Sequence, residues 1–319
     1  MFKELVKRIF DVREGEFKVS FWMLLYIFFV IAVLLIVKPT VNSLFLSELG
    51  VKQLPFAFLL VAVLATATSF LYTKAVERFA LNQVIKVTLL SSIAVLTLIG
   101  ALLSFKLYNG FLLYFFYCWV AIYAVLSASQ FWVLANLIYN VREAKRVFGF
   151  IGAGAILGGI VGGYLASILA PWIGNENLIF IAALFLIPCL ILLGNIWGFK
   201  ELKIGTYRRP KNTPSTLDKP FKLIFNSKHL TYIACILAVS VLVAKLVDYM
   251  FSDFAAAAFK DADELTSFFG FWFSTFNLLS LVVQLFLTQR IVGIWGVGFS
   301  LLLLPLGIFG GSVFFLILP

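Results

Sequence analysis

Apolar residues fill this chain in long blocks separated by short polar interruptions. A helix needs about 20 apolar residues to cross the hydrocarbon core of a bilayer. The blocks predict nine spans, at roughly 20–46, 54–73, 84–104, 111–136, 148–170, 177–197, 229–252, 265–288 and 296–317. The first contains Lys38-Pro39, which predicts a kink there. Phe2, Leu5, Val6, Ile9 and Phe10 recur at helical spacing and predict a short surface helix within 1–19. Residues 198–228 form the one long polar stretch, with three prolines and eight basic residues, and read as a cytoplasmic linker. The predicted organisation is an N-terminal segment (1–19), a six-helix bundle (20–197), the linker (198–228) and three further helices (229–319).

The segment after the fourth span carries glycines at 149, 152, 154, 158, 159, 162 and 163. Gly154, Gly158 and Gly162 repeat every four residues, as do Gly159 and Gly163. Such faces let helix backbones approach closely in lipid, where small residues replace the hydrophobic driving force. GAGAILG within this run loosely matches a dinucleotide loop, but that loop requires a preceding strand and the pattern offers none.

Composition agrees with the spans. Mean hydropathy is +1.05 and 62% of residues are hydrophobic, which excludes a soluble domain. The net charge of +10 follows from loop residues and is no nucleic-acid signal. With the N-terminus inside, 20 Lys and Arg fall on the inner side and four on the outer. This asymmetry predicts a multi-pass inner-membrane protein with a cytoplasmic N-terminus. Cys118, Cys189 and Cys235 lie within apolar blocks and read as buried thiols. The single histidine, His229, and the absence of a Walker loop exclude multi-histidine metal sites and ATP hydrolysis. The chain is read as a non-enzyme without cofactor, and any transport must draw on gradients.

Charges inside spans are costly and mark candidate sites. Lys245 and Asp248 are three apart and share a helix face. They either lock helix packing or line a cavity, and the sequence leaves both readings open. Lys38 sits among Pro39, Thr40, Asn42 and Ser43. It either snorkels to the surface or faces Asp248 across a central cavity, where an anion would compete for it. Asn277, with Ser280 and Gln284, forms a polar face on the eighth span. The candidate substrate-binding set is Lys38, Asn42, Lys245, Asp248 and Asn277. At the inner loops, Arg78, Arg142, Glu143, Lys145, Arg146 and Arg290 either set topology against lipid phosphates or gate the cavity. The tryptophans and many phenylalanines read as lipid-facing bulk or interface anchors.

Six helices, a basic linker and further helices resemble the plan of the major facilitator superfamily. Several motifs are similar to the ATP/ADP antiporters of plastids and intracellular bacteria, a branch of that superfamily. They are Lys38-Pro39-Thr40-Val41 with LPF at 54–56, Tyr72-Thr73-Lys74, and FWVLANLIYNVREAKRVF at 131–148. KLVDYMF at 245–251, FFGFWFST at 268–275 and GIWGVG at 293–298 continue them in order. The resemblance implies that Lys38 and Asp248 occupy the family's helix-1 lysine and helix-7 glutamate positions. A second helix-7 lysine falls on Ser252, and an acidic helix-4 position falls among apolar residues around Val120.

The expected fold is an all-α membrane protein, a major-facilitator-like bundle of about nine transmembrane helices with an incomplete second half. The expected function is secondary transport of a small organic anion, with ATP or ADP as the candidate solute. Its partners would be the lipid bilayer and that solute, with no nucleic acid. The alternative is a non-transporting membrane anchor or sensor that retains the fold.

Overall fold

The computed structural model of the chain describes residues 14–204 and 227–283, with isolated positions between 294 and 317. Most of the surface segment at 1–19 and of the linker at 198–228 lies outside the described residues. So do most of the span at 296–317 and the end of that at 265–288. Every regular element among the described residues is helical.

Helix α1 is Glu14–Leu49, 36 residues long, and it runs through Pro39. The proline removes one backbone donor. Next to it, the Thr40 hydroxyl donates to the Ile36 carbonyl at 2.9 Å and the Ser43 hydroxyl to the Thr40 carbonyl at 2.9 Å. A 3-10 turn at Val51–Gln53 leads into α2 (Leu54–Arg78), followed by α3 (Leu81–Ser104) and α4 (Gly110–Ile138). Asn109 caps α4 by accepting from the Leu112 amide at 3.0 Å.

The next helical stretch, Val141–Ile204, is 64 residues long. Its backbone leaves helical geometry at Gly174, with φ 81° and ψ 160°. Only glycine adopts such a conformation without strain, so the residue divides the stretch into α5 (141–173) and α6 (175–204). Helix α7 is Lys228–Ala258 and α8 is Ala262–Val282. Asp261 caps α8 by accepting from the Asp263 and Glu264 amides. Among the described residues, seven stretches are long and apolar enough to cross a membrane, and one of them, Arg146–Phe199, contains the break at Gly174.

The core is built around α1, whose Met23, Ala32, Val33 and Ile36 are fully buried. Helix α5 lies against α1 through its glycine face. A methyl group on Gly154, Gly158 or Gly162 would overlap the carbonyl oxygens of Leu24, Phe28 and Ala32 in turn. Both series ascend together, so α1 and α5 run parallel in backbone contact. The second glycine series meets α8. Gly163 faces Ser274 and Gly270, while Gly159 faces Asn277, so α5 and α8 run antiparallel. Helix α5 is thus held between α1 and α8 by two adjacent faces of one helix.

One expectation needs correction. Cys118 and Cys189 are buried, but Cys235 is exposed. It lies on the part of α7 from Leu230 to Met250 in which no described residue is buried. Many aromatics are exposed, Phe56, Phe111 and Trp172 among them, and a few are internal. Phe45, Phe116, Phe131 and Phe269 are among the largest fully buried side chains. Rings this large fill space between helices whose backbones are not held in glycine contact.

Candidate functional site

The charged groups inside the spans converge where α1, α2, α4, α7 and α8 meet. Lys38 is 11 residues from the end of α1 and Asp248 is 10 from the end of α7. At 1.5 Å per residue both lie about 15 Å below those ends, near the middle of a 30 Å hydrocarbon core. The Lys38 ammonium stands 4.8 Å from the centroid of the Phe273 ring on α8. Lys38 has no hydrogen-bond or ion-pair partner among the described residues. It does lie within electrostatic reach of both Asp248 and Lys245.

Lys245 and Asp248 pair along α7, Nζ to Oδ2, at 3.0 Å. Their side chains are 47% and 22% exposed, so the pair is not sealed in the core. The same ammonium lies 4.6 Å from the centroid of Phe58 on α2. Phe58 contacts Tyr117 of α4, which contacts Phe45 of α1. Two lysines, one aspartate and several ring faces therefore share one region with a formal surplus of one positive charge. Asn42, one turn beyond Lys38, is buried and has no hydrogen-bond partner among the described residues. An unpaired cation with an idle amide beside it suits a polar anion.

Other candidates lie elsewhere. Asn277 donates to the Phe273 carbonyl at 2.8 Å and packs at Gly159, so it belongs to the α5–α8 contact. Glu143 closes a capping box with Asn140. The Asn140 side chain accepts from the Arg142 and Glu143 amides, and Glu143 accepts from the Asn140 amide at 3.0 Å. Arg146 pairs with Glu16 at 2.9 Å and ties α5 to α1. Nearby, the Tyr139 and Ser20 hydroxyls share a 2.9 Å hydrogen bond. Burial pushes the Tyr139 phenol up, so it stays neutral there. Arg78 and Arg142 are exposed. The Lys145 side chain and Arg290 lie outside the described residues.

Sequence reasoning missed a polar latch at the end of the bundle opposite the basic loops. The Asn175 amide donates to Asp263 Oδ1 at 3.0 Å, and Thr266 Oγ1 donates to Asn175 Oδ1 at 2.7 Å. The Ser43 and Thr266 hydroxyl oxygens are in contact, and one of the two must donate here in place of its carbonyl acceptor. Ser43, Thr266 and Asn175 are all buried. The latch joins α1, the start of α6 and the start of α8. On the same side, Ser252 and Ala255 of α7 are buried, and Phe251 and Phe259 pack on Phe268. A polar residue directly after the helix-breaking Gly174 was the available signal. Its partner lies 91 positions away, beyond the reach of any local pattern.

The profile of the TLC ATP/ADP transporter family matches residues 92–318. ADP,ATP carrier protein 1 of Chlamydia trachomatis is 22% identical over 213 residues, covering 60% of this chain and 40% of that protein. ADP,ATP carrier protein 1 of Chlamydia muridarum matches with the same identity and coverage. The alignment thus covers less than half the length of these relatives. No solved structure matches the chain. The profile match spans well over half of the sequence, and the chain belongs to the TLC ATP/ADP transporter family.

Proposed function

We propose that this chain forms the substrate-binding part of a gradient-driven transporter for a nucleotide such as ATP or ADP. One observation carries the reading: Lys38 is a cation at mid-membrane depth, unpaired among the described residues, beside the half-open Lys245–Asp248 pair. Such a charge is retained in a membrane protein where a solute or pathway uses it. The phosphates would engage Lys38 and draw Lys245 away from Asp248. Phe58, Tyr117 and Phe273 would offer ring faces to the base. The carrier names of the two chlamydial relatives agree with this substrate class.

The reading includes alternating access of a major-facilitator-like bundle with a cytoplasmic N-terminus. The latch at Ser43, Asn175 and Thr266 would close one end, while the exposed stretch of α7 toward the basic end would leave the other open. A second reading, a fold-retaining anchor or sensor, draws on Ser252 and the apolar surroundings of Val120, where the family resemblance implies charges. Uptake of labelled ATP and ADP by vesicles containing the full-length protein separates the two. Transport predicts uptake that falls at least about tenfold in Lys38→Gln, the loss of roughly 1.4 kcal/mol of binding. No uptake of either nucleotide, or uptake indifferent to Lys38→Gln, would overturn the proposal.

A further inference from the structure

Away from the charged cluster, α2, α3 and α4 border an open-sided cavity of about 720 Å³. Its wall is mainly apolar, including Leu71, Ala75, Phe79, Val87 and Leu126, and no charged side chain among the described residues lines it. Five polar side chains line it, Thr68 and Tyr72 from α2, Gln83 and Thr88 from α3 and Gln130 from α4, and of these Tyr72, Thr88 and Gln130 lie at similar depth. Gln130 is 2% exposed, and its Nε2 donates to Thr88 Oγ1 at 2.8 Å. That bond fixes the carboxamide and leaves its oxygen without a partner among the described residues. The Tyr72 hydroxyl is also buried and without a partner among the described residues. A partnerless buried hydroxyl and a second polar side chain with unused accepting capacity, at one mainly apolar cavity, suit a ligand that is mostly hydrocarbon but carries polar atoms.

Depth selects the ligand further. Tyr72, Thr88 and Gln130 lie six to eight residues from the ends of their helices at Arg78, Leu81 and Ile138. At 1.5 Å per residue all three form a belt about 9–12 Å below the basic end of the bundle. Leu126 lies deeper on α4, and the cavity reaches from its level up to Phe79 at the helix end. Above the belt, Lys74, Arg78 and Lys86 are exposed on α2 and α3, against the single acid Glu77. The order from the surface inward is cationic, uncharged polar, then mainly apolar with Thr68 as the one deeper polar lining residue. A glycerophospholipid has the matching order of phosphate, ester and acyl chain. A nucleotide does not, because its phosphates would be stripped of water against an uncharged wall.

We propose that this cavity is a binding site for an anionic glycerophospholipid of the adjacent leaflet. One acyl chain fills the space between α2, α3 and α4. Tyr72 donates to an ester carbonyl, and Gln130 accepts from a water at the level of the esters. The phosphate lies at Arg78 and Lys86. The site is separate from Lys38 and does not depend on the substrate assigned there.

Native mass spectrometry of the full-length protein, purified in mild detergent and supplied with phosphatidylglycerol or phosphatidylcholine, tests this directly. The wild type should retain one phosphatidylglycerol per chain. Ala75→Phe and Leu126→Phe fill the cavity from different helices, and each should lower that occupancy at least about tenfold. Arg78→Gln with Lys86→Gln should keep a lipid but lose the preference for phosphatidylglycerol. Monodisperse elution and an unchanged helical circular dichroism signal identify folded variants. Equal retention in wild type and both folded cavity variants would mean peripheral lipid only and would overturn the site. So would thermal stabilisation by inorganic phosphate that equals that by phosphatidylglycerol.

Discussion

At the residue scale the decisive arrangement is three charges on two helices. Lys245 and Asp248 neutralise each other at 3.0 Å, and Lys38 feels both. The two members of the pair should therefore have opposite effects when removed. In Asp248→Asn, Lys38 and Lys245 are both left without a carboxylate, and the site becomes more attractive to phosphate. Nucleotide KM should fall, and maximal uptake should fall with it, because release is slowed. In Lys245→Met, Asp248 is left to pair with Lys38 and competes with the substrate, so KM should rise about tenfold. Initial-rate uptake against nucleotide concentration reads both signs. A pair that served only helix packing would leave KM unmoved in both variants. The sequence exposed these residues because charge in an apolar run is conspicuous. It could not assign Asn277, whose amide spacing suited a wet face equally well but whose contacts are at Gly159.

Among the elements, α5 has the strictest requirements. Its two glycine faces meet different partners, and the faces were legible because a four-residue repeat is local information. The partners were not legible, because the residues of α1 and α8 that meet these glycines lie more than a hundred positions away in the sequence. The break at Gly174 was readable as an interruption between two apolar blocks, although its left-handed backbone was not. The consequence for stability is specific. A side chain at Gly158 must displace the α1 backbone at Phe28, since it would meet a carbonyl oxygen and not a flexible side-chain end. Gly158→Ala should cost about 1–3 kcal/mol, the usual range for overpacking. Gly152 has open space at the corresponding point. Gly152→Ala should be neutral or stabilising by up to about 1 kcal/mol, since alanine is the better helix former. Thermal unfolding of the detergent-solubilised protein distinguishes the two. Equal losses at both positions would indicate that backbone contact between α1 and α5 does not limit stability.

For the whole molecule, the latch and the charged cluster make separable demands on the transport cycle. Ser43 and Thr266 are in contact across α1 and α8, and Asn175 extends the contact to the end of α6 nearest Gly174. If the bundle works by alternating access, this contact must part on every turnover while the mid-depth site stays assembled. The Ser43→Cys/Thr266→Cys double variant converts a breakable contact into a covalent one. Oxidation should then abolish uptake, and reduction should restore it. The oxidised protein should still bind nucleotide presented from the basic end, with affinity near that of the reduced form, because Lys38 and the Lys245–Asp248 pair are not part of the cross-link. Binding of labelled ATP and uptake, measured on the same preparation, separate the two steps. Loss of both together would mean that the cross-link distorts the site. Unchanged uptake in a fully cross-linked sample would show that this end does not open during transport.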